Sequence, residues 1–194
     1  MGTRGLTAVY KDGTHRIAQY GQWDHYPSGQ GITALNFLRS GKLPALIANL
    51  DKIEWLTDEK YEADTAHIAG GRQFITMEES AQIDRIFPFL SRNHGAGILE
   101  AVADYEGDGT IYLRDEITFA ADSLFNEGTY VIDLDAGTFE VYEGFQTEPH
   151  AEGRFASTEP REGYYPVRLV KTYTLDDLPT DDEFLADLGG DETE

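Results

Sequence analysis

Residues 6–20 read Leu-Thr-Ala-Val-Tyr-Lys-Asp-Gly-Thr-His-Arg-Ile-Ala-Gln-Tyr. Two β-prone runs, Leu6–Tyr10 and His15–Tyr20, flank Asp12-Gly13, a pair that tolerates the positive φ required at both central positions of a type I′ turn. The pattern predicts an antiparallel hairpin. A second hairpin is predicted over Thr129–Tyr142, where Ile, Val, Phe and Tyr alternate with polar residues around Asp135-Ala-Gly137. A last strand is expected over Tyr165–Tyr173, opening beside Pro166, which suits a strand start or an edge. Between the hairpins the period changes. Ile32, Leu35 and Leu38 recur at helical spacing before Ser40-Gly41, and a short helix is predicted from Pro44 through Ile53. Thr76 with Glu79 has the pattern of a capping box ahead of Ile83, Ile86 and Phe87. Gly97–Ala103 fits a helix or a buried strand equally, and Thr57–Gly71 carries no decisive periodicity. Hairpins at both ends with helices between them imply an α+β fold, an antiparallel sheet packed against central helices.

The chain has 194 residues, 40% of them hydrophobic, which is enough for one domain with a true core. Its 36 acids and 15 bases leave a net charge of −21. Nine acids and no base fall between Tyr173 and Glu194. The reading is therefore a single domain over residues 1–175 and an acidic, flexible tail over 176–194, with one short helix near Asp182–Leu188. Within that tail, Phe184, Leu185 and Leu188 offer the alternative of a peptide docking into a basic groove. A strongly negative field repels phosphate backbones and anionic lipids, which argues against direct nucleic-acid binding and membrane-surface docking. No run approaches the length of a membrane helix, no secretory signal precedes the first hairpin, and Leu6 breaks the myristoylation pattern, so a cytoplasmic location is expected. The absence of cysteine excludes disulfides, thiolate metal sites and a cysteine nucleophile.

The segment Gly21-Gln-Trp-Asp-His-Tyr-Pro-Ser-Gly-Gln-Gly31 cannot continue a strand and reads as a structured loop. Its glycines permit close backbone approach, its aromatic residues offer flat faces, and its amides and hydroxyls offer hydrogen bonds. With the preceding residues it nominates a small-ligand pocket built from Arg4, Gln19, Gln22, Trp23, Asp24, Tyr26, Ser28 and Gln30. The competing reading is a strand-to-helix connection whose aromatics plug the core and whose Asp24 caps amides or pairs with Arg4. A calcium loop is a further candidate at Asp104, Glu106, Asp108 and Asp115, which stand at EF-hand positions 1, 3, 5 and 12 with Gly109 at position 6. Glu106 is long for its position, Asp115 is short for bidentate binding, and Ile111–Leu113 reads as strand where an EF-hand needs helix. The histidines at 15, 25, 67, 94 and 150 lack the spacing that places two metal ligands on one helical face. No GxxxxGK[ST], GxSxG or GxGxxG element occurs, so no nucleotide cofactor is expected.

Met1–Leu6 (MGTRGL) followed by AQYGQWDHYPSGQG at 18–31 resembles a family of small proteins of bacteria, their phages and some fungi. AADSLF at 120–125 and the hairpin 130–142 resemble its second half, so the resemblance covers about two thirds of the chain. It implies no particular activity. Relatives that begin Met-Cys-Thr-Arg are similar to the start of N-terminal-nucleophile hydrolases, which implies a layered hydrolase-like scaffold with Arg4 and Asp24 organising the site. Such an amide hydrolase takes both its nucleophile and its base from the first residue. Gly2 supplies no nucleophile, and Thr3 takes over only if processing also removes Gly2. The expectation is a non-catalytic protein that binds a small polar molecule on a degenerate amidohydrolase-like scaffold. The alternative is an acidic, phage-type interaction protein that inhibits a basic host protein, either nucleic-acid-binding or defensive.

Overall fold

In a computed structural model, which describes residues 2–70, 75–161 and 163–189, both hairpins form. The first pairs β1 (Gly5–Lys11) with β2 (Thr14–Gly21), and its turn places Asp12 at φ 55° and Gly13 at φ 72°. Both values are the left-handed ones a type I′ turn demands. The second pairs β5 (Gly128–Asp133) with β6 (Thr138–Glu143), and β7 (Arg168–Thr174) adds antiparallel to β6.

The hairpins meet in a way the sequence does not announce. β1 lies parallel to β5, with Leu6 opposite Thr129 and Ala8 opposite Val131, giving the strand order β2-β1-β5-β6-β7. The sheet is therefore mixed where an antiparallel one was expected. The physical reason is burial: β1 and β5 are covered on both faces, and parallel pairs tolerate that position well. A two-stranded parallel sheet, β3 (Ile53–Trp55) with β4 (Ile111–Leu113), stands beside it.

One face of the large sheet carries the helices. Val9, Ile17, Tyr130, Ile132, Phe139 and Val141 pack against α1 (Ile32–Arg39), α2 (Leu43–Asn49) and α5 (Ile98–Ala103). The stretch expected as a helix from Pro44 to Ile53 is helical to Lys52, as α2 and then a tighter 3-10 turn over Leu50–Lys52. Asn49 turns its amide toward the carbonyls of Val102 and Tyr105, at 2.8 and 2.9 Å, and Ile53 already belongs to β3. The undecided segment 97–103 is helical. The opposite face, with Leu6, Ala8, Val131 and Tyr142, is covered by Ala120, Phe155 and Val167 from irregular connections. Arg154 fastens that cover to the sheet. Its guanidinium donates to Asp133 at 2.6 Å and to Glu140 at 2.6 and 2.9 Å, and it lies 4.1 Å from the Tyr10 ring centroid.

The stretch without decisive periodicity forms α3 (Asp58–Ala69), capped by the Thr57 hydroxyl and closed by Gly70 at φ 57°. α4 (Met77–Ile86) starts in the capping box of Thr76 and Glu79. The two form a satellite core of Leu56, Ile68, Ile83 and Phe87, with Phe87 edge-on to Tyr112 of β4.

The acidic C-terminal stretch is not a free tail over the described residues. α6 (Asp181–Asp187) opens in a capping box of Thr180 and Glu183 and buries Phe184 completely, stacked on Phe139 and beside Tyr173. Asp187 accepts from Lys171 at 2.7 Å and from Tyr173 at 3.1 Å, and Asp181 pairs with Arg39. The apolar residues considered for docking on a partner, Phe184, Leu185 and Leu188, instead pack on the chain's own core. Residues 190–194 lie outside the described residues. No helix among the described residues is long and apolar enough to cross a membrane.

Candidate functional site

The nominated loop folds largely onto itself and its neighbours. Asp24 takes φ 61°, a left-handed value that aspartate tolerates better than most residues, and its carbonyl accepts from the Gln30 amide at 2.7 Å. Its carboxylate accepts from the Tyr26 hydroxyl at 3.1 Å. Gln30 accepts at Oε1 from Ala96 N at 2.7 Å, and Gln22 accepts at Oε1 from Tyr20 Oη at 2.8 Å. Ser28 lies exposed in the π-helical turn Pro27–Gly31, and Trp23 is half exposed. Arg4 lies over the Phe125 ring at 4.4 Å, and no ion pair joins it to Asp24 among the described residues. A Cβ at Gly2 would stand 2.4 Å from the Gln22 carbonyl oxygen and 2.6 Å from the Trp23 ring. Position 2 thus has no room for the side chain a nucleophile there would need.

The anchor of this loop is a residue the sequence reading did not single out. His25 is fully buried, its ring laid against Gly5 and Gly21, which face each other across β1 and β2. A Cβ at Gly21 would lie 1.9 Å from the ring, and one at Gly5 would lie 2.3 Å from it. Nδ1 lies 3.2 Å from the Trp23 carbonyl, which can only accept, so Nδ1 carries the proton. Nε2 is then a buried lone pair to which no described residue donates. Tyr130 Oη donates to the His25 carbonyl at 3.0 Å.

Burial dominates the titration of this imidazole and lowers its pKa to about 4, against smaller opposing contributions from the Trp23 carbonyl and the Asp24 carboxylate. In the unfolded chain it titrates near 6.5. Between those values the unfolded state holds the extra proton, so stability is complete above about pH 6.5 and falls as the pH drops toward 4. The expected loss is about 3 kcal/mol. Urea midpoints at pH 7.5 and 4.5 measure it, and His25→Gln should show a correspondingly smaller drop. An identical drop in the variant would mean that other groups govern the acid limb.

A cavity lies next to the loop. A cleft of about 730 Å³ separates the β2 edge from the α3–α4 unit. Gln19 and Tyr20 line it from β2, together with Ser91–Asn93, Glu116 and the apolar side chains of Tyr61, Ile83 and Phe87. Of the nominated residues only Gln19 lines it, donating from Nε2 to the carbonyls of Tyr20 and Ser91 at 2.8 and 3.3 Å. Gln22 borders it through its backbone, which donates to the Arg92 carbonyl at 3.0 Å. Arg92, Arg114, Asp84 and Glu116 all line the cleft, yet no ion pair joins one to another among the described residues. Arg114 instead pairs with Asp58 at 3.2 Å and lies over Tyr61. Nothing in the spacing of residues 19, 61, 83, 92 and 114 signals that they meet, because strand pairing and helix packing bring them together.

The calcium candidate does not assemble. Asp104 ends α5 and accepts from Lys42 at 2.8 Å, whereas Asp115 lies beyond β4 with both oxygens 3.0 Å from His15 Nε2. No group of three metal-ligating side chains converges among the described residues. In comparison with known proteins, no family model, curated protein or solved structure matches this chain.

Proposed function

We propose that this protein binds a small polar molecule without transforming it, and that the binding site is the cleft between the β2 edge and the α3–α4 unit. The observation that carries this reading is a cavity of ligand size whose charged side chains the fold leaves unpaired with one another. Ordinarily such groups find each other, and here they face a common space. The resemblance to N-terminal-nucleophile hydrolases gives the reading its second half. With glycine at position 2 and Trp23 packed against it, that position supplies no nucleophile, which supports binding without turnover.

Native mass spectrometry of the protein purified gently from its host tests the proposal. A co-purifying species on the order of a few hundred daltons, as a cavity of this class accommodates, is the expected result. Ser80→Trp, which fills the cleft from α4, should eliminate that species while the far-ultraviolet circular dichroism stays unchanged. Retention of the species by this variant would place binding elsewhere and end the proposal.

The charge of −21 supports a second reading, an acidic protein that occupies and inhibits a basic host partner. In that case a basic protein would co-purify and be released by raising the salt concentration. A partner whose affinity is the same at low and physiological salt would count against it.

A further inference from the structure

We propose that the cleft takes a small monocarboxylate with an aromatic body, its two carboxylate oxygens held by the Tyr20 backbone amide and the Arg92 guanidinium. This rests on the cleft being the binding site and extends that reading to the chemistry of the occupant.

The backbone donor follows from strand parity. β2 is the edge of the five-stranded sheet, and in its antiparallel ladder with β1 alternate residues face inward and outward. Ala18 accepts at its outward carbonyl from Glu116 N at 3.2 Å, and Gln22 donates outward to the Arg92 carbonyl at 3.0 Å. Tyr20 lies midway between these two clamps and shares their parity. Its β1 neighbour, Leu6, turns its backbone to β5, as do Arg4 and Tyr10, whose carbonyls accept from Glu127 N and Leu134 N. The Tyr20 carbonyl is already occupied by Gln19 Nε2. Its N–H finds no acceptor among the described residues and is left on the open edge, where Tyr20 lines the cleft. An edge amide in this position seeks an acceptor.

The second donor is Arg92. In a chain with 36 acids and 15 bases, its guanidinium makes no ion pair, hydrogen bond or ring contact with any described residue. Arg114 is committed to Asp58 and the Tyr61 face. One uncommitted guanidinium and one uncommitted amide match the two oxygens of a single carboxylate. Asp84 and Glu116 at the same cleft repel a more highly charged anion such as a phosphate dianion. Tyr61, Ile83 and Phe87 supply the apolar surface for the rest of the molecule.

The test titrates the full chain, labelled with ¹⁵N, with N-acetyl-phenylalanine and with its uncharged analogue N-acetyl-phenylalaninamide, with phenyl phosphate and phenethylamine alongside. The expected result is that N-acetyl-phenylalanine binds at least about tenfold more tightly than the amide and than phenyl phosphate. It should also shift the Tyr20 amide resonance and weaken at higher salt. Arg92→Gln should lose at least about tenfold in affinity for the carboxylate and change little toward the amide. Arg161→Gln, an exposed arginine outside the cleft, should bind as the unaltered protein does. Equal binding of acid and amide, an unmoved Tyr20 resonance, an unaffected Arg92→Gln variant, or no binding of the carboxylate at millimolar concentration would each overturn the proposal. If phenethylamine or the amide binds instead and Ser80→Trp abolishes that binding, the carboxylate assignment falls while the cleft remains a binding site. If a species co-purifies and survives in Ser80→Trp, the cleft reading itself falls.

Discussion

Truncation after Leu175 is expected to abolish cooperative folding, and Phe184→Ala alone to cost about 4 kcal/mol, the range for removing a buried phenylalanine. Phe184 is fully buried, stacked on Phe139 and tilted against Tyr173, and it lies 3.0 Å from the position a Cβ would take at Gly31. Its ring thus closes the helical face of the sheet where β5, β6 and β7 meet α1. Removing it leaves a cavity bordered by aromatic rings that cannot collapse without disturbing the ladder. Asp182→Asn, on the exposed side of α6, separates packing from charge and should change stability by less than about 1 kcal/mol. Urea unfolding followed by circular dichroism decides between these expectations. A truncated protein with an unchanged midpoint would mean that α6 contributes no stability.

Gly21→Ala is the second substitution with a large expected effect, about 3 kcal/mol of destabilisation. Nothing about the backbone at Gly21 requires glycine, because the residue lies within a strand. The requirement is steric: the new Cβ would fall within 1.9 to 2.9 Å of three atoms of the His25 ring, which is buried and cannot swing away. The origin of the cost is therefore testable by rescue. His25→Ala removes the obstacle at the price of its own cavity, so Gly21→Ala/His25→Ala should be more stable than the sum of the single changes predicts, by about 2 kcal/mol. Gly5→Ala should show little such rescue. Its Cβ would also stand 2.0 Å from the Gly128 carbonyl oxygen, which is backbone and remains when the imidazole is gone. Additive effects at Gly21 and His25 would show that the ring is not what excludes a side chain there.

The Gly5–Gly21–His25 arrangement also shows what the composition of the loop 21–31 serves in the folded protein. Glycines, aromatic residues and amides are the materials of a pocket and equally of a tight internal junction, and composition does not distinguish the two. In the folded protein Gln22, Gln30 and Tyr26 spend hydrogen bonds on Tyr20, Ala96 and Asp24. The neighbouring cleft draws only Gln19 from that set. Its other side chains come from β2, α3, α4, the connection at 91–93 and the residues after β4, segments that carry no common motif.

What the amino-acid sequence determined by itself was local. Asp12-Gly13 accepts the dihedrals of a tight turn, the alternation over 129–142 suits a second hairpin, and Thr76 with Glu79 caps a helix; each is a property of a few adjacent residues. Tertiary structure decided the rest. The parallel union of β1 and β5 joins residues more than a hundred positions apart, and its driving force is burial of both faces at once, which no short window reports. The same holds for the acidic C-terminal stretch. Its charges signal a solvated tail, yet one phenylalanine and two leucines dock on the core while Arg39 and Lys171 neutralise Asp181 and Asp187. The cleft, too, exists only because the satellite helices stand apart from an edge strand whose amide at Tyr20 meets no acceptor among the described residues.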